Sequence, residues 1–155
     1  MFATWRERIS AALGSVALRI DHVGSTAVPT LAAKPILDIQ VSVSDLADEP
    51  RYVPQLEAAG VQLRSRDGLH RYFRPFLGHH RQVHVHVCAA GSPWEYEHLM
   101  LRDYLRAHPG ARDAYARAKR AAARTWHDDR WAYTEAKTEI ILDLLRAAER
   151  WAGTI

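Results

Sequence analysis

A glycine-serine turn between two β-rich runs constrains the fold of this chain more than any other feature of its sequence. Residues 16–23 alternate in hydropathy and are rich in β-forming side chains, which predicts a strand that runs directly into Gly24 and Ser25. Pro35 then holds the backbone extended before the apolar run of residues 36–43. Because this second run is apolar on both faces, it predicts a central strand that is covered on both sides.

Periodic segments along the rest of the chain predict an α+β protein. The further predicted strands are residues 61–64, 70–76 and 82–88, and the predicted helices are residues 3–13, 28–33, 50–59, 95–107, 110–126 and 131–151. The pattern predicts a mixed sheet of about five strands with helices packed on it and a helical C-terminal third. We expect Trp126, Trp131 and Trp151 to be core or interhelical residues. A chain of 155 residues with 48% hydrophobic composition is expected to form one domain over residues 1–155.

The charge pattern and the cysteine count argue against several classes of protein. The formal net charge is +3 and no basic block of five or more residues occurs, so an anionic small ligand is favoured over a specific nucleic-acid partner. Cys88 is the one cysteine, and we expect a small buried strand residue rather than a nucleophile. The segment Met1–Glu7 is charged, and no apolar run approaches membrane-spanning length. These features predict a cytoplasmic protein without a membrane partner and leave the oligomeric state open.

An acid in the predicted central strand is the first candidate for chemistry. Asp38 lies on the face opposite Leu37, and a carboxylate there costs desolvation energy unless Lys34, a divalent ion or nearby imidazoles partner it. His84 and His86 alternate with valines, so both imidazoles point to one face of their strand. These three residues are the candidate catalytic groups and the candidate ligands of Mg²⁺, Mn²⁺ or Zn²⁺, and a mixed carboxylate-imidazole set suits zinc or manganese best. The alternative is a solvent-facing acid and a partly exposed strand that simply tolerates histidine.

The turn after the first strand is the candidate phosphate-binding element. Gly24 allows a close approach of the backbone, and the following residues, Ser25 and Thr26, begin a predicted helix whose N–H groups are free to bind an anion. Lys34 would add a positive charge nearby. The alternative is an ordinary strand-to-helix turn in which Thr26 is the cap.

Further candidate phosphate contacts lie on the fourth predicted strand and on the last two helices. Arg74 shares a strand face with Tyr72, so it is one of the arginines that can face the histidine pair. Two Tyr-x-x-x-Lys pairs each share a helical face and offer Lys119, Tyr133 and Lys137 as ligand contacts. The alternative for such pairs is surface packing, with the lysine stem over the ring.

At this point the chain resembles the GrpB family, small bacterial proteins with a nucleotidyltransferase-like fold that also occur fused behind dephospho-coenzyme A kinase. The resemblance covers about residues 16–150 and rests on six blocks in the family's order. The blocks are His22–Pro29, Leu31–Ile39, Val83–Val87, Leu101–Pro109, Tyr115–Lys119 and Tyr133–Lys137.

The resemblance implies the polymerase-β-like nucleotidyltransferase fold, in which the Gly-Ser turn holds phosphates and strand acids hold metal while a hydroxyl attacks the α-phosphate. The chain departs from the pattern of active nucleotidyltransferases because Gln40 stands where a second acid is expected. Two-metal transfer needs carboxylates that gather ions about 3.5–4 Å apart, and Asp38 cannot do so alone. Thr30 also replaces the usual family glycine, which predicts an altered turn.

Three functions therefore stay open at the level of sequence. The leading one is a nucleotidyltransferase-like protein that binds a nucleotide or another anionic small molecule at Gly24, Ser25, Thr26 and Lys34, with or without one metal ion. The second is an enzyme on a non-nucleotide metabolite that uses a histidine as general base beside Asp38. The third is a catalytically inert binding module, because one scaffold hosts many functions.

Overall fold

The described residues form two compact units in a computed structural model of the protein. The residues described are 2–28, 36–77 and 83–153. A sheet unit comprises those up to residue 27 and from 36 to 98, and a helical unit comprises residue 28 and residues 99–153. The prediction of a single domain over residues 1–155 stays a prediction.

Strands precede most of the helical residues, as the sequence predicts. The strands are β1 (Arg19–Val23), β2 (Leu37–Val43), β3 (Val61–Arg66), β4 (His70–Pro75) and β5 (Val83–Ala89). The α-helices are α1 (Phe2–Leu13), α2 (Val53–Ala58), α3 (Pro93–Ala107), α4 (Pro109–Thr125) and α5 (Arg130–Ala152), and short 3₁₀ helices cover Gly14–Val16, Ser25–Ala27 and Glu49–Arg51. None of the described helices is both long and apolar enough to cross a membrane.

The five strands form one mixed sheet in the order β1-β2-β5-β4-β3. β2 pairs parallel with β5, and the other neighbouring strands pair antiparallel. Six of the seven residues of β2 are buried, and Asp38 is the exception, which confirms a central strand covered on both faces. The apolar face of β2 and β5 packs against α1 and α2, where Trp5, Ile9 and Leu56 contribute to the core. This packing leaves the alternate, polar side chains of β2 and β5 on the opposite face.

Two boundaries differ from the sequence predictions for local reasons. β1 begins at Arg19 rather than at residue 16, because residues 14–16 form a 3₁₀ turn that starts at a left-handed Gly14 (φ +53°). α4 begins at Pro109 rather than at residue 110, since the first helical turn needs no N–H from proline. The predicted helix of residues 28–33 and the hairpin connection after residue 77 lie almost wholly outside the described residues.

The tryptophans of the helical unit divide between packed and exposed positions. Trp151 of α5 contacts the rings of Tyr104 and His108 at 5.8 and 5.3 Å, which confirms an interhelical role. The same prediction is wrong for Trp126 and Trp131, which are 41% and 76% exposed. Trp126 follows the last residue of α4 and Trp131 lies in the first turn of α5, so both stand at helix ends beside the connection between the two helices.

Asp129 caps the N-terminus of α5 through its side chain. Its Oδ1 accepts a hydrogen bond from the Ala132 N–H at 3.0 Å. We expect Asp129→Ala to lower the free energy of unfolding by about 1 kcal/mol, measured by urea titration, because an orphan N–H loses its acceptor. Asp128→Ala is the matched control, since that side chain is 89% exposed and caps nothing. Equal losses in the two variants would contradict the capping role.

Candidate functional site

The parallel pairing of β2 and β5 brings the sequence-predicted acid and both histidines together. In the strand register Asp38 stands beside His84, and Gln40 stands beside His86. All four side chains project from the face opposite the apolar core, because they alternate with buried valines, leucine and isoleucine. The predicted shared face of the histidines, and its position beside the acid, are therefore confirmed.

One oxygen of Asp38 faces both imidazoles. Asp38 Oδ1 lies 3.2 Å from His86 Nε2, a hydrogen-bond distance, and 3.6 Å from His84 Nδ1, which is within the distance of an ion pair. Burial raises the pKa of the Asp38 carboxyl, but the two imidazoles outweigh burial and hold that pKa well below its usual range. Asp38 is therefore an ionised acceptor throughout the neutral pH range, with its side chain 32% exposed.

Gly24 fits tightly against this carboxylate. Its φ is +72°, a left-handed conformation that side chains rarely adopt, and a Cβ there would lie 2.7 Å from Asp38 Oδ2. The sequence predicted a close approach of the backbone at this position, and in the structure the group approached is Asp38. The Gly24 turn and the Asp38 carboxylate are therefore packed directly against each other. Ser25 follows Gly24 and begins the 3₁₀ helix Ser25–Ala27.

His22 holds the side chain of Thr26 in the turn, a contact that the sequence analysis did not predict. His22 Nε2 and Thr26 Oγ1 share a hydrogen bond at 2.8 Å, and the His22 ring stacks on Phe2 at 4.9 Å between centroids. The prediction that Thr26 caps a helix over residues 28–33 falls largely outside the described residues. The available signal was the spacing of four between His22 and Thr26 across a glycine turn.

A stack of aromatic rings adjoins the polar face of the sheet. Trp94, in the first turn of α3, lies between His70 and His98 with centroid distances of 4.0 and 4.1 Å. His70 continues the stack to His86 at 5.8 Å, and Tyr72 stacks on His86 at 5.3 Å. Burial lowers the pKa of His98, which favours its neutral form. Sequence reasoning missed Trp94 and His98, although their spacing of four on one helix was a signal.

The other predicted contact residues are not all gathered at this place. Arg74 lies on the polar side of β4, and its Nε is buried without a hydrogen-bond partner among the described residues. Lys119 Nζ lies 5.7 Å from the centre of the Tyr115 ring, the surface packing that was the alternative for that pair. Tyr133 and Lys137 lie on α5 of the helical unit, and Lys34 lies outside the described residues. A role for these residues in ligand binding stays a prediction.

The donor set does not fit a two-metal reaction. Gln40 is fully buried and neutral at the position of the second acid, and His86 stands beside it. Within residues 2–28, 36–77 and 83–153, no three acids, histidines or cysteines form a metal-binding group. Asp38 faces imidazole nitrogens and not a second carboxylate, so these residues do not support a two-metal nucleotidyl transfer. One divalent ion held by Asp38, His84 and His86 stays a prediction.

Cys88 lies near the end of the same polar face and is fully buried. Burial raises the pKa of its thiol to about 11, so the thiolate is scarce at neutral pH. Its Sγ lies 3.9 Å from Ser42 Oγ, another fully buried group. The prediction of a small buried strand residue is confirmed.

Known proteins share this architecture over nearly the whole chain. The model of the family described as GrpB protein matches residues 1–147. A UPF0157 protein of Halalkalibacterium halodurans is 40% identical over 148 residues, which are 96% of this chain and 76% of that protein. A dephospho-CoA kinase of Mycobacterium leprae is 34% identical over 176 residues, covering 95% of this chain but 43% of the kinase.

A solved structure has the same fold. The crystal structure of the conserved protein GrpB from Enterococcus faecalis superimposes with a TM-score of 0.78 at 29% sequence identity, covering 97% of this chain and 92% of that one. The mixed five-stranded sheet and the helical C-terminal region are therefore the fold of a solved relative. Sequence, family model and structure agree that the chain belongs to the GrpB family.

Proposed function

We propose that this protein is a nucleotidyltransferase-like protein that binds an anionic small molecule, a nucleotide being one example, at the polar face of its sheet. The observation that supports the proposal is the cluster in which Asp38 lies between His84 and His86, directly against the Gly24 turn. Imidazoles act as donors, cations or bases near neutral pH. A partly buried carboxylate whose pKa is perturbed by specific partners is a common mark of functional sites.

The charges of this face favour an anion over a cation. Asp38 is already compensated by the imidazoles, so it does not oppose a second negative group as a free carboxylate would. Arg74 adds a guanidinium whose Nε is buried and has no hydrogen-bond partner in the described chain. Charge-assisted hydrogen bonds from guanidinium and imidazolium to phosphate or carboxylate are the stronger ones in proteins.

A second function is favoured by the Asp38–His86 hydrogen bond. A carboxylate that orients an imidazole is the arrangement that prepares histidine for general acid-base work. An enzyme acting on a non-nucleotide metabolite could use His84, which contacts the same carboxylate, as its proton acceptor. The third function, an inert binding module, draws support from the dephospho-CoA kinase relative. The match with this chain covers 43% of that kinase, so a related region there accompanies a further part of the protein.

Isothermal titration of the full chain tests the proposal. Nucleoside triphosphates, pyrophosphate and inorganic phosphate are titrated with and without Mn²⁺, and we expect saturable binding of at least one anion. His84→Gln should weaken that binding about tenfold, the equivalent of about 1.4 kcal/mol, because an imidazole hydrogen-bond partner is lost. His127→Gln is the matched control, since that side chain is 71% exposed in the connection between α4 and α5.

The outcomes show how an anion is bound and whether the protein turns it over. Binding that requires Mn²⁺ and is lost in Asp38→Asn supports one metal ion beside Asp38, whereas metal-independent binding supports direct recognition by the imidazoles. Turnover of the bound anion, read by ³¹P NMR, marks an enzyme. Absence of binding for every anion, or equal affinity in the wild type and His84→Gln, would remove the proposal.

A further inference from the structure

Gln40 has two buried polar atoms without partners. Its side chain is fully buried, and neither Oε1 nor Nε2 has a hydrogen bond to any described residue. Leaving a buried donor and acceptor unpaired is costly, so native structures nearly always satisfy both. Gln40 therefore requires a partner that is not a side chain or backbone group of the described chain.

The neighbouring histidine presents the same need. His86 Nδ1 is also buried and unpartnered among the described residues. The register of β2 and β5 places His86 directly beside Gln40 on the same face. Neighbouring strands lie about 4.8 Å apart, so one small molecule can reach both side chains.

The proton on His86 follows from its other nitrogen. Asp38 is ionised and can only accept, so His86 Nε2 carries the proton and donates to Oδ1 at 3.2 Å. In the neutral ring, Nδ1 is then an acceptor that needs a donor. In the charged ring it becomes a donor that needs an acceptor. A group that can both donate and accept satisfies Nδ1 in either state.

We propose that Gln40 and His86 Nδ1 together bind one water molecule in the free protein, and that Gln40 thereby acts as a positioning residue for His86. A water has donors and acceptors for the Gln40 amide and for Nδ1, and buried waters typically make about three such bonds. Both nitrogens of His86 are then held, one by Asp38 and one by the water. The ring keeps one tautomer, and His84 is the imidazole of the pair that stays available to a ligand.

This inference does not depend on the proposed ligand, because it concerns the free chain. A high-resolution crystal structure of the full chain, without added ligand, should show an ordered water within hydrogen-bond distance of the Gln40 amide and of His86 Nδ1. In ¹⁵N spectra, neutral His86 should show a protonated Nε2 and a hydrogen-bonded Nδ1. A direct Gln40–His86 hydrogen bond, or a site packed without water, would overturn the proposal.

Variants separate positioning from simple packing. Gln40→Met keeps nearly the same shape without an amide, and we expect it to lose the ordered water and to move the Nδ1 resonance toward that of a nitrogen without a hydrogen bond. Ser42→Ala, two residues along the same face, is the matched control and should leave that resonance in place. Should Gln40→Met fail to fold, Gln40→Asn keeps an amide one methylene shorter and should still shift the resonance. An unmoved Nδ1 resonance in either Gln40 variant would contradict the positioning role.

Discussion

Replacing Gly24 with alanine is expected to destabilise the protein by about 2–4 kcal/mol, the sum of backbone strain and overpacking. The φ of +72° costs energy for any residue with a Cβ, and the added methyl would lie 2.7 Å from Asp38 Oδ2. The carboxylate cannot retreat freely, because His84 and His86 hold its other oxygen. Urea unfolding followed by tryptophan fluorescence measures the loss.

Gly91 provides the matched control for this substitution. Its φ of +77° is nearly the same, but a Cβ there would meet no heavy atom within 4 Å. Gly91→Ala should therefore lose only the strain, about 1–2 kcal/mol. The difference between the two variants isolates the contact with Asp38. Equal losses would show that Gly24 serves backbone conformation alone and leaves the carboxylate untouched.

Asp38→Asn is expected to lower the free energy of unfolding at pH 7 by about 1–2 kcal/mol, a range reduced for solvent screening of this partly exposed group. The substitution keeps the shape but removes the charge that both imidazoles face. Urea unfolding of both proteins between pH 2 and pH 7 measures the difference at each pH, because urea does not screen charges as a salt does.

The difference in free energy of unfolding between the wild type and Asp38→Asn should depend on pH in a way that identifies the ionised carboxylate. Because the folded pKa of Asp38 lies below its ordinary value of 3.8, the stabilisation is fully present above pH 3.8 and is lost as the pH falls through the folded pKa. The free energies of unfolding of the wild type and of Asp38→Asn should therefore differ at neutral pH and become similar in acid. Asp143→Asn is the control, since that carboxyl is 76% exposed. A difference that grows as the pH falls below 3.8 would contradict the assigned ionisation of Asp38.

Much of the site could be predicted because strand periodicity decides which side chains share a face. Alternation alone placed Asp38 and Gln40 on one face of β2, and His84 and His86 on one face of β5. It could not give the parallel pairing that sets Asp38 beside His84, because that choice depends on the packing of the entire sheet. The histidines were expected as partners of Asp38 because a carboxylate in an apolar strand needs a partner, and not because the pattern showed that β2 and β5 are neighbours.

Residues that sequence reasoning missed reach the site through tertiary contacts. Trp94 and His98 lie on a helix whose periodicity indicates only a packed face, and nothing in that pattern shows that the partner is His70. The hydrogen bond that Thr26 Oγ1 shares with the His22 imidazole was also not predicted, because only the cap of a following helix was considered for Thr26. Local propensity cannot rank such competing partners, since their distances are set only after the chain has folded.

The parallel pairing of β2 with β5 also determines when the site can exist during folding. β3 and β4 are joined by the short segment Asp67–Leu69, whereas the β2 and β5 partners Ser42 and Cys88 are 46 positions apart. The entropy lost on loop closure grows with length, so the β3–β4 hairpin can form well before the central pair. Asp38 contacts His86 only after β2 has paired with β5. A ligand of this cluster therefore binds, and stabilises, only chains whose whole sheet has formed.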